Sequence, residues 1–172
     1  METALVVPVP EAEPIVGSWR WRYASDAAAG MWAHVTIIYP FRESSLIGAE
    51  AVSCITRVAA SVARFAFTLA RVEYFRSPAV VLYLAPEPAA PFEALARNLA
   101  SEFPDAPPYR GEFEEIVPHV SIADEEDPEI LAAIEADVSA HLPILATAKN
   151  VQLVEHAPAG WRRRQSFALG SV

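Results

Sequence analysis

The feature that most constrains this chain is a four-residue word that occurs twice, His34-Val35-Thr36-Ile37 and His119-Val120-Ser121-Ile122. The shared pattern is His, apolar, hydroxyl, apolar. Alternate side chains of a β-strand point to one face, so each copy, as a strand, sets an imidazole beside a hydroxyl on one surface and two aliphatics on the other. The remaining histidines act as internal controls. His141-Leu142-Pro143-Ile144 and His156-Ala157-Pro158-Ala159 keep the apolar flanks but carry Pro where the word needs a hydroxyl. His34 and His119 lie 85 positions apart, each in a strand followed by a helical stretch. This spacing suggests duplication of a smaller unit into two lobes that face each other across a cleft.

The rest of the chain is consistent with that arrangement. Ala4 to Val9 reads as a strand, ended by Pro10 and followed by a helix from about Pro14 to Tyr23 with Ile15, Trp19 and Arg22 at helical spacing. A loop through Asp26 and Gly30 leads to the first motif strand, Ala33 to Tyr39, which Pro40 closes. Glu50 to Ala63 has apolar residues on nearly every turn and no Pro or Gly, which predicts a buried helix. Phe65 to Leu69 alternates like a strand, and Ala79 to Leu84 reads as a continuous apolar one. Pro91 opens a helix over Phe92 to Phe103, the Pro-rich Pro104 to Gly111 is a loop, and the second motif strand runs near Val117 to Ala123. Asp127-Pro128 starts a helix to about His141. Ile144 to Val154 is a long strand or a bent pair, and Gln165 to Leu169 is the last strand.

Several neighbouring strands are joined by connections too short for a parallel crossover. The expected class is therefore α+β, with mostly antiparallel sheets flanked by helices around a central cleft. No linker separates independent domains, so residues 1–172 are read as one domain of two intertwined lobes.

Bulk properties narrow the function. At 172 residues and 53% hydrophobic content the chain can fill a proper core. Its longest apolar runs, such as Ala79 to Ala85, are far too short to cross a bilayer, and its start is acidic and Pro-rich instead of basic then apolar. The expectation is a cytoplasmic monomer with no membrane partner. Cys54 is the only cysteine and sits in an apolar-rich stretch, which reads as a buried structural thiol. A net charge of −9 opposes a broad surface coating nucleic acid, while a short or single-nucleotide ligand remains allowed. Positive charge rests on twelve Arg and Lys149, most densely at Arg162-Arg163-Arg164 after Trp161. This cluster reads as a solvated basic turn, with a local phosphate or ribose contact beside an aromatic platform as the functional alternative.

Two imidazoles suit phosphodiester chemistry without a metal. One removes a proton from the incoming oxygen while the other gives a proton to the departing one. Negative charge then gathers on the non-bridging oxygens of the pentacoordinate phosphate, where hydroxyls at Thr36 and Ser121 can donate hydrogen bonds.

With these motifs the chain resembles the 2H phosphoesterases, which include 2′,5′-RNA ligase-like proteins and RNA 2′,3′-cyclic phosphodiesterases. The resemblance covers most of the chain. It rests on Ala33-His34-Val35-Thr36-Ile37 running into Tyr39-Pro40-Phe41, the Pro-Phe-Glu-Ala-Leu helix start at Pro91, Pro118-His119-Val120-Ser121-Ile122, and Trp161 before a closing strand. The family usually has Pro immediately before each motif His. Here the first copy has Ala33, a departure expected to loosen the start of that strand.

The resemblance implies a bilobal fold with pseudo-twofold symmetry and His34, Thr36, His119 and Ser121 lining a central cleft. It also implies hydrolysis of 2′,3′-cyclic phosphates on RNA ends or small nucleotides, or 2′,5′ ligation in the reverse direction, with no metal and no cofactor. Tyr39, Phe75, Trp161 and Arg162 are the candidate substrate contacts, since members of the family use aromatics at the cleft edge. Other readings are a nucleotide-binding regulatory module with little turnover, a pair of hydrogen-bonded core histidines, and a zinc site. Two histidines without further spaced ligands fall short of the last.

Overall fold

The computed structural model describes residues 1–112 and 115–171. Its strands are β1 (Thr3–Pro8), β2 (His34–Ile38), β3 (Phe65–Phe75), β4 (Val81–Glu87), β5 (Val120–Asp124), β6 (Ile144–Ala148), β7 (Asn150–Ala157) and β8 (Gly160–Ala168). Its helices are α1 (Glu13–Tyr23), the single-turn α2 (Ser25–Ala28), α3 (Ala49–Ser61), α4 (Ala90–Glu102) and α5 (Pro128–Ser139). The strands form two four-stranded sheets, ordered β2-β1-β7-β8 and β5-β4-β3-β6. Neighbours within both sheets pair antiparallel, so the expected α+β class and sheet type are what the chain adopts.

The sheets repeat one plan. Each motif strand lies at a sheet edge, paired with the strand that precedes it in the chain, β1 for β2 and β4 for β5, with a helix in between. The two edge strands lie beside one another. The lobes are interlaced, because the last two strands of the chain complete the first sheet while β3 and β6 complete the second.

Local sequence explains the helices. In α3 the buried residues Ala51, Ile55, Val58 and Ala59 recur at helical spacing, as do Phe92, Leu95, Ala96 and Leu99 in α4. Fully burying one such Leu or Ile contributes roughly 1.5–3 kcal/mol. Asp127 caps α5, its side chain accepting from the Glu129 N–H, and Pro128 occupies the first turn, where its missing N–H has no cost. Phe65 and Phe67 of β3 meet Phe92 edge to face at 4.9 and 5.0 Å, pinning α4 to the second sheet. Among the described residues no helix is long and apolar enough to cross a membrane.

Several expectations need correction. The run from Ile144, expected as one long strand or a bent pair, is two strands in different sheets: β6 belongs to the second sheet and β7 to the first, with Lys149 as the crossing residue. Periodicity is silent on which sheet a strand joins. β3 continues six residues beyond Leu69 because a bulge between Leu69 and Val72 resets its register, a break that ends the simple alternation. The loop through Asp26 contains α2. The most buried side chains of α1 are Val16 and Arg20, whereas Ile15 and Trp19 are half-buried and Arg22 is exposed.

Two polar features were also misread. Arg162 to Arg164 are exposed, as a solvated cluster should be, but lie within β8 instead of a turn, where Arg162 pairs with Glu155 while Arg164 donates to the Ser44 and Ile47 carbonyls. Cys54 is not a buried structural thiol. It is half-exposed on α3, its thiol within hydrogen-bond range of Glu102 and Arg57, and burial together with the Glu102 carboxylate raises its pKa.

Candidate active site

The two histidine words are presented in the same way, the first within β2 and the second at the start of β5, which begins at Val120 and not near Val117 as expected, so that His119 immediately precedes it. Val35 and Ile37 are buried while His34 and Thr36 are half-buried, and Val120 and Ile122 are buried while His119 and Ser121 are half-buried. The aliphatics thus sit in the core and the polar pair faces outward from each strand. All four polar residues line one cleft of about 390 Å³, which Tyr39, Tyr109, His156, Trp161, Glu2 and Asp26 also line. Ala4 and Val6 of β1 form its floor beside β2, with Val6 directly opposite Thr36.

The imidazoles are held alike. His34 Nδ1 lies 2.7 Å from the carbonyl oxygen of Trp32, and His119 Nδ1 lies 2.7 Å from that of Val117. A carbonyl can only accept, so each Nδ1 carries a hydrogen and donates it. The lone pair of each neutral ring then resides on Nε2. Two residues back along the chain supplies both acceptors, so the orienting bond is duplicated with the motif.

The surroundings of the two rings differ. His119 stands edge-on to Phe75, with ring centres 4.9 Å apart, and to Tyr83 at 5.5 Å. Phe75 and Tyr83 stack at 4.2 Å, and the Tyr83 hydroxyl donates to Glu73 at 3.0 Å. His34 instead lies near Arg20. Burial first and the Arg20 charge second push the His34 pKa well below the usual imidazole value, against the opposing pull of the Trp32 bond and Asp26. Burial also lowers that of His119, opposed by its bond to Val117 and by Asp124 and Asp26.

Arg20 escaped the sequence reading. Its side chain is 1% exposed, and it donates to the Ser121 carbonyl, to Asp26 at 3.0 Å, and to the Met31 and Trp32 carbonyls at 3.4 and 3.3 Å. The available signal was Ala12-Val16-Arg20 at four-residue spacing, a charge on an apolar helix face. Tyr109 was also missed. It lines the cleft, hydrogen-bonds the Thr36 side chain, and has its phenol pushed up to about 12 by burial, so it stays protonated at neutral pH. Its φ of 49° followed by 56° at Arg110 is an uncommon left-handed pair that no motif announces.

His156, set aside as a control, also reaches the cleft. It lies directly across the β7–β8 hairpin from Trp161, with ring centres 5.1 Å apart. A hairpin reading of Ala157-Pro158-Ala159-Gly160 would have placed these two rings opposite each other. Gly160 has φ +113°, and a Cβ there would lie 2.3 Å from the Ala29 carbonyl oxygen. Glycine therefore permits the close approach in which Trp161 N–H donates to Ala29 at 2.7 Å.

Of the candidate substrate contacts, Tyr39 and Trp161 are brought to the cleft, their rings 6.2 Å apart at its rim. Phe75 lies outside it, behind His119, lining a neighbouring apolar cavity of about 350 Å³ that shares His119 and Tyr109. Arg162 is not brought to it: its guanidinium binds Glu155 at 2.6 and 2.9 Å. Nor is the start of β2 loose, because the Ala33 N–H donates to the Glu13 carboxylate, a bond that Pro could not make. Among the described residues no group of three or more His, Cys, Asp or Glu side chains is disposed to hold a metal ion.

The sequence pattern of the 2'-5' RNA ligase superfamily matches residues 7–159. No curated protein matches the chain. The fold is that of several solved structures. TT0787 of Thermus thermophilus is 17% identical with a TM-score of 0.64, covering 99% of both chains. E. coli LigT complexed with 3'-AMP is 17% identical with a TM-score of 0.62, covering 98% of this chain and 97% of that one. The same protein complexed with NADP+ gives 19% and 0.60, covering 99% and 98%.

Proposed function

Because the chain belongs to the 2'-5' RNA ligase superfamily, we propose that it is a metal-independent phosphodiesterase that opens 2′,3′-cyclic phosphates of small nucleotides or RNA ends. The observation that carries this reading is the duplicated geometry of the cleft: two imidazoles, each tied at Nδ1 to a carbonyl two residues back, on the walls of one small cavity with a hydroxyl beside each. In the proposed reaction water attacks phosphorus in line. One Nε2 takes the proton of the water, and the other, protonated beforehand, delivers its proton to the departing ribose oxygen. A P–O bond to water forms, a P–O bond to ribose breaks, and a phosphate monoester results. Thr36, aligned by Tyr109, and Ser121 donate to the non-bridging oxygens.

The E. coli LigT structures hold 3'-AMP and NADP+, so a nucleotide is a reasonable occupant of the corresponding cleft here. The net charge favours hydrolysis over ligation. Ligation needs a surface that holds two strands together, which a chain of net charge −9 opposes. A regulatory module would bind nucleotide without turning it over.

The test is steady-state hydrolysis of the four nucleoside 2′,3′-cyclic phosphates by the full chain, with and without EDTA. The expected outcome is release of monophosphate at a rate that chelation leaves unchanged. Binding without turnover of any of the four, or of an oligoribonucleotide ending in a 2′,3′-cyclic phosphate, would refute the enzymatic reading, and activity lost to EDTA and restored by zinc or manganese would refute the metal-free one.

A further inference from the structure

The two histidine words are chemical duplicates, yet the proposed reaction needs the imidazoles in opposite protonation states. Something outside the words must make them unequal. Arg20 of α1 is the one buried guanidinium among the described residues. It donates to the Trp32 carbonyl, the same oxygen that accepts from His34 Nδ1, and to the Ser121 carbonyl in β5. One rigid fork therefore spans the gap between the two edge strands.

We infer that Arg20 is a positioning residue that makes the duplicated histidines unequal, tying the carbonyl that orients His34 to the strand that carries Ser121 and leaving His34 the proton acceptor and His119 the proton donor. These roles rest on the phosphodiesterase reading. The inequality itself does not.

Two physical effects act together. A fixed positive charge beside His34 opposes a second positive charge on that ring, as does a proton on His119 itself, while Asp124 favours the charged form of His119. Asp26 favours protonation of both rings and so does not discriminate between them. The other titratable groups lining the cleft are Glu2, Tyr39, Tyr109 and His156, and Tyr83 touches His119 from β4. The second effect is geometric. The Trp32 carbonyl accepts from both Arg20 and His34, so losing the guanidinium frees the His34 anchor to move relative to Ser121. A displacement of about 1 Å can cost ~10²-fold in rate. With these roles the water proton passes to His34 Nε2 and the His119 Nε2 proton passes to the departing ribose oxygen.

The test is an NMR titration of the imidazole Cε1–H signals of the full-length protein without ligand, assigned with His34→Gln and His119→Gln. His34 should titrate at lower pH than His119. In Arg20→Met the His34 midpoint should rise toward that of a free imidazole while His119 moves less, and kcat on a 2′,3′-cyclic nucleotide should fall by up to ~10²-fold. Arg20→Lys keeps the charge but loses the fork, so the order of titration should persist while kcat falls. If Arg20→Met does not fold, the wild-type and Arg20→Lys titrations still decide. Equal or inverted midpoints in the wild type, or equal movement of both rings in Arg20→Met, would overturn the inference. Inverted midpoints with full turnover would leave the phosphodiesterase reading standing. The inferred order with no turnover would refute that reading and keep the inequality.

Discussion

Replacing Ala33 with proline tests how the first motif strand is held. In the resemblance, Pro is the residue usually found before the motif histidine, so Ala33→Pro looks conservative. The structure argues otherwise. Ala33 is fully buried, and its N–H donates to the Glu13 carboxylate. That carboxylate sits against Gly17, where a Cβ would lie 2.7 Å from Glu13 Oε2, so it has little room to retreat. Proline removes the donor and puts its ring where the hydrogen was. A hydrogen bond to a charged group contributes about 1.5–3 kcal/mol, and the stiffer unfolded chain returns about 0.4–1 kcal/mol. The net expectation is a loss of about 1–2 kcal/mol, or roughly 2–8 °C in Tm for a chain of this size. Urea denaturation of Ala33→Pro, Glu13→Ala and the double variant measures it. The two losses should be strongly sub-additive, since either one breaks the same bond. Full additivity, or a proline variant as stable as the wild type, would refute the reasoning.

Three further outcomes follow from the site. His34→Ala and His119→Ala should each lower kcat on a 2′,3′-cyclic nucleotide by ~10²–10⁴, and the double variant should lose little more, while Thr36→Val and Ser121→Ala retain more activity than either; circular dichroism should show all of them folded. Both imidazoles bind protons more weakly folded than unfolded, His34 being lowered to about 4, so stability is greatest above the ordinary imidazole pKa and falls with pH through the window from about 6.5 to 4. Denaturation midpoints across that window check the sign, and kcat/KM should peak between the two imidazole midpoints, where one ring is charged and the other neutral. Gly160→Ala should destabilise by roughly 2–4 kcal/mol from left-handed strain and collision with Ala29, and should raise KM by displacing Trp161; calorimetry and steady-state kinetics check both.

The parts of this protein legible in its sequence are those carried by short-range periodicity. A period of two at His34-Val35-Thr36-Ile37 and His119-Val120-Ser121-Ile122 was enough to find both motif strands, though not the start of β5 at Val120, and to predict which side chains turn away from the core. Pro91 and Asp127-Pro128 marked the starts of α4 and α5 because capping and a fixed φ act within one turn. The run Ile144 to Val154 was recognisable as extended chain.

Partnership across the fold lay beyond that range. Nothing local says that Lys149 carries the chain from one sheet to the other, since both sheets demand the same alternation. Arg162 reads from the sequence as a ligand contact, yet Glu155 engages it, as Ser44 and Ile47 engage Arg164. His156 and Tyr109 reach the cleft through a hairpin and a left-handed turn whose destinations depend on distant strands. Arg20 is the clearest case. As a residue of α1 it could have been another solvated charge, and it is buried because carbonyls from two separated segments and one aspartate converge on it. Desolvating a guanidinium is tolerated only where such partners meet. The sequence by itself therefore determined the strands, the two histidine–hydroxyl pairs and the chemistry they suit, because side-chain alternation is a local property of the backbone. Tertiary structure alone decided that Tyr109 and His156 join the cleft and that one histidine stands beside a buried positive charge, because burial and electrostatic fields depend on neighbours that no window of sequence contains.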